Sequence, residues 1–247
     1  MVLVTAGVGA NASIITGGEL RGPAGGELVV AQYNTAGSLE IASNIVDNTS
    51  ATTLIKAGGG TLVLSGTSHT GSTRVNEGVL QAADGTGLSS NSALVLNGGV
   101  FQSTAATFSR ALGSAAGEVS LIGGTTGFSA ASTALTVNLG GSGATVQWGS
   151  ASFNPGVLLL NASSATASLS FQNGIDLNGS TRGIRVDANT AIISGVISNG
   201  VGGSPAGLVK SGAGTLRLTQ ANSFDGGVIL SGGTLAVGND AALGTGN

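Results

Sequence analysis

The chain has 247 residues, of which 45 are Gly, 3 are Pro and none is Cys, and its formal net charge is −3. Charged residues make up 8% of the chain, against about 25% in an ordinary soluble domain. These values exclude collagen, disulfide-rich scaffolds and cysteine metal sites, and eight dispersed Lys and Arg residues cannot form the basic patch that nucleic-acid binding requires. No apolar run reaches the roughly 18 residues of a transmembrane helix, so the sequence predicts no membrane span.

Taken in order, the chain alternates short apolar strands with turns of Gly, Asn and Ser. The first stretch, Met1–Ala12, lacks a positively charged start and is interrupted by Gly, so it is interpreted as a strand and not as a signal peptide. Apolar and polar residues alternate with period two, and no stretch keeps a helical period. The Ala-rich segment Ala105–Ala116 is predicted to be a loop or a single short turn, because Gly113 within it and Gly117 directly after it weaken a helix. The predicted strands are Val2–Thr5, Ser13–Ile15, Glu19–Arg21, Glu27–Gln32, Ser38–Ile41, Thr53–Ile55, Thr61–Leu64, Thr73–Val75, Val79–Ala82, Ala93–Leu96, Val100–Ser103, Val119–Ile122, Ala134–Leu139, Thr145–Trp148, Val157–Leu160, Ser168–Phe171, Gly183–Val186, Ala191–Ser194, Val196–Ser198, Leu208–Val209, Thr215–Leu218, Val228–Leu230 and Thr234–Val237.

The turns and the composition favour a stacked coil over a sandwich or a barrel. Strands this short suit a solenoid, and aromatic residues are only 3% of the chain, which suits a narrow core of Leu, Val, Ile and Ala. The sequence therefore predicts an all-β parallel β-helix, with about 12 rungs of roughly 20 residues and a length of roughly 60 Å. One turn pattern, Gly-Gly-x-Leu or Gly-Gly-x-Phe, recurs at Gly17–Leu20, Gly25–Leu28, Gly59–Leu62, Gly98–Phe101 and Gly232–Leu235.

One stretch of the chain occurs twice. Residues 54–80 contain Leu-x-Lys-x-Gly-x-Gly-Thr-Leu-x-Leu, then Thr-Gly, an apolar strand and Gly-x-Leu, and residues 208–235 repeat this order. Leu208 lies 154 residues after Leu54, whereas Gly226 lies 155 residues after Gly71, so one residue was gained or lost in the turn between them. Internal repetition of this kind indicates repeat architecture, and residues 1–247 are predicted to be a single β-solenoid segment.

These two copies resemble the autotransporter-associated β-strand repeat of passenger domains and other large bacterial surface proteins. The tail Ala241–Gly246 is similar to the continuation of that repeat, and Ala93–Phe101 to the strand that commonly follows it. The resemblance implies a right-handed parallel β-helix exported to the cell surface, without catalytic residues of its own. The first copy departs from the pattern at Ser68-His69-Thr70, where the second copy has Asn222-Ser223-Phe224.

Candidate catalytic residues are sparse, and Val119–Ile175 contains no charged residue. The densest charged cluster is interpreted as a solvated ion-pair face, with a substrate groove as the alternative. The single His, His69, is interpreted as a surface turn residue, because no nucleophile elbow surrounds the nearby Ser65, Ser68 and Ser72. The charged cluster consists of Asp176, Arg182, Arg185 and Asp187.

Three further groups receive structural interpretations. Lys56 and Lys210 are expected to cover a strand edge or contact turn carbonyls, with binding as the alternative role. The stretch Gly200–Gly203 lacks the Asp that a calcium-binding solenoid repeat requires. No catalytic residue, metal ligand or cofactor is predicted. The larger aromatic residues are expected to fill wide rungs of the core, with a sugar-binding row as the alternative, and are Phe101, Phe108, Phe128, Trp148, Phe153 and Phe171.

Neither end of the sequence resembles a polar cap: Val2–Thr5 is apolar, and Gly244–Asn247 stops where the pattern calls for another strand. The expected partners are therefore further copies of the chain, stacked head to tail into a fibre, or adjoining solenoid segments of a longer chain. The predicted function is that of a non-enzymatic structural protein of the bacterial surface or extracellular matrix. The alternatives are an adhesin stalk that binds a glycan or host surface, and a polysaccharide-active β-helix enzyme.

Overall fold

The computed structural model describes residues 1–200 and 204–246, and these residues form an all-β fold. Residues 201–203, within the stretch Gly200–Gly203, and residue 247 lie outside the described residues. A 3₁₀ helix, Ala6–Val8, is the only helix in the described part of the chain, and no helix there is long and apolar enough to cross a membrane. The strands are β1 (Val2–Val4), β2 (Ser13–Ile15), β3 (Glu19–Arg21), β4 (Glu27–Gln32), β5 (Leu39–Ile41), β6 (Asn44–Val46), β7 (Thr53–Ala57), β8 (Thr61–Leu64), β9 (Thr73–Val75), β10 (Val79–Ala82), β11 (Leu94–Leu96), β12 (Val100–Ser103), β13 (Thr107–Phe108), β14 (Val119–Ala130), β15 (Leu135–Val137), β16 (Val146–Gln147), β17 (Phe153–Leu160), β18 (Leu169–Phe171), β19 (Ile175–Asp176), β20 (Arg182–Arg185), β21 (Thr190–Ile193), β22 (Ile197–Ser198), β23 (Leu208–Ser211), β24 (Thr215–Leu218), β25 (Val228–Leu230) and β26 (Thr234–Val237).

The strands stack in parallel ladders. The first ladder runs β1-β4-β7-β9-β11-β14-β17-β20-β23-β25. The second runs β2-β5-β8-β10-β12-β14-β17, and the third β13-β15-β18-β21-β24-β26. Two shorter ladders are β3-β6 and β16-β19-β22. Because parallel neighbours come from successive passes of the chain, the backbone coils into a parallel β-helix, as predicted.

The predicted count of about 12 rungs is not confirmed, since the first ladder contains ten strands within the described residues. The number of residues in one rung varies along the chain, and this explains why the first ladder has ten strands and not about 12. Register partners Lys56 and Val75 are 19 residues apart in sequence, whereas Leu121 and Phe153 are 32 residues apart. Some rungs therefore contain more than the roughly 20 residues that were assumed for each rung.

Alternate residues of most strands point inward, and they form a continuous hydrophobic core that extends from Val4 to Ala242. In the first ladder, Val30, Lys56, Val75 and Leu96 stand above one another in register. All but the lysine are apolar, and each is fully buried. Burying one Val or Leu side chain contributes roughly 1.5–3 kcal/mol, so these ladders supply most of the stabilisation.

The larger aromatic side chains fill the core, which confirms the prediction. The ring centroid of Phe108 lies 5.2 Å from that of Phe101 and 5.0 Å from that of Phe128. Phe108 belongs to the two-residue strand β13, which the prediction of a loop or short turn for Ala105–Ala116 missed, whereas the rest of that segment is irregular or turn. Packing between two rings holds Phe108 in the extended strand. The fully buried aromatic residues are the six predicted ones, Phe101, Phe108, Phe128, Trp148, Phe153 and Phe171, and in addition Phe224.

Every predicted strand overlaps an observed strand, but β6, β13 and β19 were not predicted. Four predicted strands, β7, β14, β17 and β23, are also longer in the structure. β14 continues through Gly123 and Gly124, both at positive φ, and passes from the first ladder to the second. From sequence alone, a pair of glycines predicts a turn. Here the pair lets one strand bend so that it belongs to two faces of the β-helix.

Candidate functional site

The lysine of the first repeat copy lies inside the core. Lys56 is fully buried, in the inward ladder between Val30 and Val75. Its ammonium donates hydrogen bonds to three carbonyl oxygens, one at the end of β7, one in the turn that follows and one in the turn of the next rung. These acceptors are Ala57 O at 3.1 Å, Gly58 O and Glu77 O at 3.0 Å.

The second copy builds the same arrangement around Lys210, which is also fully buried. Its Nζ donates to Ser211 O at 2.8 Å, Gly212 O at 2.9 Å and Gly232 O at 3.0 Å. Each lysine therefore ties the turn of its own rung to the turn of the next rung. We call these two arrangements the lysine clamps. The expected contact with turn carbonyls is observed, but neither lysine covers a strand edge.

The glycine of each Lys-x-Gly sequence is required by the clamp. Gly58 and Gly212 have φ of 78° and 79°, a left-handed conformation that directs their carbonyl groups toward the lysine. A Cβ on Gly58 would lie 2.6 Å from Gln32 O of the preceding rung, so no larger residue fits there.

Burial lowers the pKa of the Lys56 ammonium to about 8, and the charge of Glu77 opposes this shift. The pKa of Lys210 is also lowered by burial, against the attraction of Asp187. A lysine with a lowered pKa is a candidate nucleophile or base. However, both amines are enclosed by protein and bonded to three backbone oxygens, so a substrate has no access to them.

His69 is fully buried, which corrects the prediction of a surface turn residue. Its Nδ1 lies 2.5 Å from Thr67 Oγ1, its Nε2 lies 2.9 Å from Thr73 Oγ1, and Thr73 Oγ1 lies 2.8 Å from Ser92 Oγ. Burial lowers the pKa of His69, against the attraction of Asp47. The turn folds inward because the backbone N–H of His69 donates to Ile45 O at 3.1 Å in the preceding rung.

None of the three serines considered as partners of His69 is bonded to it. Ser65 Oγ lies 3.5 Å from Glu40 Oε1, Ser68 Oγ accepts from Asn44, and Ser72 Oγ accepts from Arg74. The hydroxyls that do contact His69 lie within the buried network. The arrangement is that of a satisfied core histidine and not of a general base that activates an accessible nucleophile.

The charged cluster predicted from sequence is only partly assembled. Arg185 Nε donates to Asp187 Oδ1 at 2.6 Å, so these two residues form an ion pair in which the Arg185 side chain is 48% exposed and the Asp187 side chain 16% exposed. Arg182 instead donates to a backbone carbonyl and places its guanidinium 5.5 Å from the ring centroid of Trp148. Asp176 accepts the N–H of Asn178 at 2.9 Å and is not part of the pair.

One ion pair with a buried arginine was missed by the sequence reasoning. Arg110, in the loop after β13, is 5% exposed, and its Nη2 lies 2.5 Å from Asp84 Oδ1. The guanidinium also donates to Ser92 O at 2.5 Å and Ser89 O at 2.8 Å. The partners are 26 residues apart in sequence, and no local pattern links them. The ion pair fixes the loop after β10 against the loop after β13.

Within the described ranges, no group of three or more His, Cys, Asp or Glu side chains is placed to hold a metal ion. The outer surface nevertheless carries hollows. One has a volume of about 460 Å³ and is lined by Glu77, Arg185 and Asp187 together with Val79, Val100 and Leu159. The ion pair of Arg185 and Asp187 therefore lies at a concave site, the position that the substrate-groove alternative requires.

A second hollow lies on the outer face of the ladder β8-β10-β12. It has a volume of about 380 Å³ and continues into a smaller hollow of about 210 Å³ that shares Gln81, Gln102 and Ser164. We call the two together the side groove. Its lining contains hydroxyl and amide side chains but no ionisable one, among them Thr35, Ser38, Thr61, Gln81, Gln102 and Ser164.

Comparison with known proteins identifies the repeated stretches. Residues 54–82 and 208–237 both match the family described as the passenger-associated-transport-repeat. A segment of 72 residues is 40% identical to the adhesin BmaC autotransporter of Brucella suis biovar 1 (strain 1330). The match covers 29% of this chain and spans only 2% of the length of that protein. No solved structure matches the chain. Each of the two stretches that match this repeat family contains one lysine clamp.

Proposed function

We propose that this chain is a non-enzymatic β-helical stalk segment of a passenger-type protein at the bacterial cell surface, lengthened by further rungs that stack on its ends. The observation that carries this proposal is the pair of lysine clamps in one continuous core. Each clamp joins successive rungs through buried backbone hydrogen bonds, and this stiffens the rod at the two repeats. The repeat family and the adhesin relative support location at the surface.

The last rung supports the stacking. Leu230 and Val237 pair in register with the inward-pointing Lys210 and Leu218, so they occupy core positions. They are nevertheless 51% and 53% exposed. Among the described residues β25 pairs only with β23, which leaves a strand edge open for another parallel strand. We propose that a rung of a second copy, or an adjoining solenoid segment of a longer chain, covers these side chains.

Electron microscopy of the purified chain tests the self-stacking form. At ~4.8 Å per rung, ten turns predict filaments with an axial repeat of roughly 48 Å. The double variant Leu230→Lys and Val237→Lys is expected to give short rods, because charged side chains cannot enter the core of the next copy. Wild-type chains that remain short, uniform rods at all concentrations would overturn head-to-tail assembly and leave adjoining segments of a longer chain as the occupant.

The second candidate function is adhesion to a glycan or host surface. It is favoured by the relative named as an adhesin and by the side groove. The enzyme alternative is less well supported, since the clamp lysines and His69 are fully buried. A hydrolase screen against polysaccharides, run on the wild type and on the double variant Arg185→Ala and Asp187→Ala, tests it. Turnover that the double variant lacks would establish the ion-pair hollow as an active site.

A further inference from the structure

The side groove is formed by two loops and by the outward residues of three strands. Outward residues pair in register across the ladder, Val63 with Gln81 and Gln81 with Gln102. The loop after β4, which contains Thr35 and Ser38, forms one wall. The loop after β17 forms the other wall, because it bends back over two rungs to place Ser164 against Gln102. The floor therefore runs along the axis of the β-helix, with rungs spaced ~4.8 Å apart.

Gln102 is held in place at the centre of the floor. It is 1% exposed, and its Nε2 donates to Ser164 Oγ at 3.1 Å and to Ser129 Oγ and Ala130 O at 3.3 Å. All three contacts use the amide nitrogen, whose two hydrogens are shared among the three acceptors, so the amide oxygen is left to accept from a ligand. A buried side chain fixed by three contacts loses little entropy on binding, which is the condition for a pre-organised site.

The chemistry of the lining selects the class of ligand. Anionic ligands are bound by Arg and Lys, and apolar ligands by aromatic and aliphatic walls. This lining instead offers amides and hydroxyls around a valine and two alanines, Val63, Ala36 and Ala131. Hydroxyls both donate and accept, and Gln does the same through its two amide atoms. These groups match the hydroxyls of a sugar. We infer that the side groove binds an uncharged polysaccharide that lies along the axis of the β-helix across Gln81 and Gln102.

This inference rests on the second candidate function, adhesion to a glycan, and names its site and ligand class. It does not depend on the stalk function, because the groove lies on the side of the rod and the stacking residues lie at its end. The test uses Val63→Trp, which fills the groove with an indole. The matched control is Val95→Trp on β11. Val95 is also a half-exposed outward valine in the middle of a strand, but it lies between Arg74 and Ser120, outside the groove. A second control is Arg185→Ala with Asp187→Ala, in the neighbouring hollow.

Saturation-transfer NMR with maltohexaose, cellohexaose and mannohexaose, and with a heparin hexasaccharide as the anionic probe, gives the readout. We expect wild type and both controls to bind at least one uncharged hexasaccharide. We expect Val63→Trp to bind it roughly tenfold more weakly or worse. Loss of binding in the Arg185 and Asp187 variant, equal binding by Val63→Trp, binding of heparin alone, or no binding by the wild type would each overturn the inference. Filament formation by the same samples tests the stalk proposal separately.

Discussion

His69 and Phe224 occupy the same position in the two repeats, and both side chains are fully buried. They are 155 residues apart, the spacing that also separates Gly71 from Gly226. In both copies the residue before them donates its backbone N–H to an isoleucine carbonyl of the preceding rung, Ser68 at 2.8 Å and Ser223 at 3.0 Å. The imidazole of the first copy therefore replaces a phenyl ring in an otherwise equivalent turn.

This substitution predicts an acid-sensitive first repeat. The pKa of His69 is lowered in the folded state, because burial disfavours the charged ring more than Asp47 favours it. The unfolded chain therefore binds a proton more readily, near the ordinary histidine pKa of about 6.5. The stability contributed by the neutral ring is complete above that pH and is lost as the pH falls below it. We expect the free energy of unfolding to drop between pH 7.5 and 5.

The variant His69→Phe isolates this effect. Carboxylates such as Asp47 and Asp225, whose pKa values are lowered in the folded chain, also contribute to acid destabilisation in both proteins. Urea unfolding at pH 7.5 and pH 5, followed by the fluorescence of the single, buried Trp148, measures how much the free energy of unfolding of each protein changes with pH. The variant is expected to lose less stability on acidification than the wild type. Equal losses would show that His69 does not titrate during unfolding.

The lysine clamp of the first repeat is expected to stabilise the fold. Lys56→Met keeps the apolar stem but removes the donor of three hydrogen bonds, which leaves Ala57, Gly58 and Glu77 with unpaired carbonyl oxygens. An unsatisfied buried acceptor costs roughly 1–3 kcal/mol, so we expect a loss on the order of 2 kcal/mol at pH 7. Urea unfolding measures it.

The matched control for the clamp is Arg74→Met, which removes an exposed cation from β9, the neighbouring strand of the same ladder. Surface substitutions of this kind change stability by about 0.5 kcal/mol or less. If Lys56→Met were as stable as Arg74→Met, the cost of burying the ammonium would equal the gain from its hydrogen bonds, and the clamp would not be a source of stability.

The same lysine predicts an unusual response to alkali. Its pKa is about 8 in the folded chain, because of burial, and about 10.4 when unfolded. Between these values the unfolded state binds more protons, so the free energy of unfolding rises with pH, by roughly 3 kcal/mol at most. We expect the wild type to gain stability between pH 7.5 and 10. Lys56→Met should lack most of this gain, and a parallel response of the two proteins would contradict the folded-state pKa.

The sequence predicts the parallel β-helix of this protein well, because the patterns that indicate strands and turns are local. Period-two alternation locates the strands, and Gly-Gly-x-Leu locates several turns. Strands β13 and β19 are only two residues long and have no alternation to detect, so only their neighbours in the stack define them. The extended form of β13 depends on Phe108 packing between Phe101 and Phe128, which come from other turns.

The polar groups are less predictable, because their environment is set by the rungs above and below. A lysine in a Gly-rich stretch, such as Lys56, is usually a surface residue, and a histidine between Ser and Thr, such as His69, is usually in an exposed turn. Both side chains are nevertheless buried. The repeat itself contained a signal for each. Lys56 shares strand parity with the inward Leu54, and His69 aligns with Phe224, so comparison of the two copies places both side chains inside. The side groove had no such signal, since its walls come from loops more than 120 residues apart.

The glycine of the clamp provides the sharpest test of rung stacking. Gly58 has φ of 78°, and a Cβ there would lie 2.6 Å from Gln32 O of the rung below. Gly58→Ala therefore combines a disfavoured backbone conformation with a collision against backbone, and we expect a loss of roughly 2 kcal/mol or more. Gly66→Ala is the matched control, because a Cβ on Gly66 meets nothing within 4 Å and its φ is not positive. Removing that glycine restricts the unfolded chain, so the control is expected to be neutral or slightly stabilising. Urea unfolding of both variants at pH 7 decides the matter: equal stabilities would mean that the turn after β7 does not pack on the preceding rung as closely as these distances require.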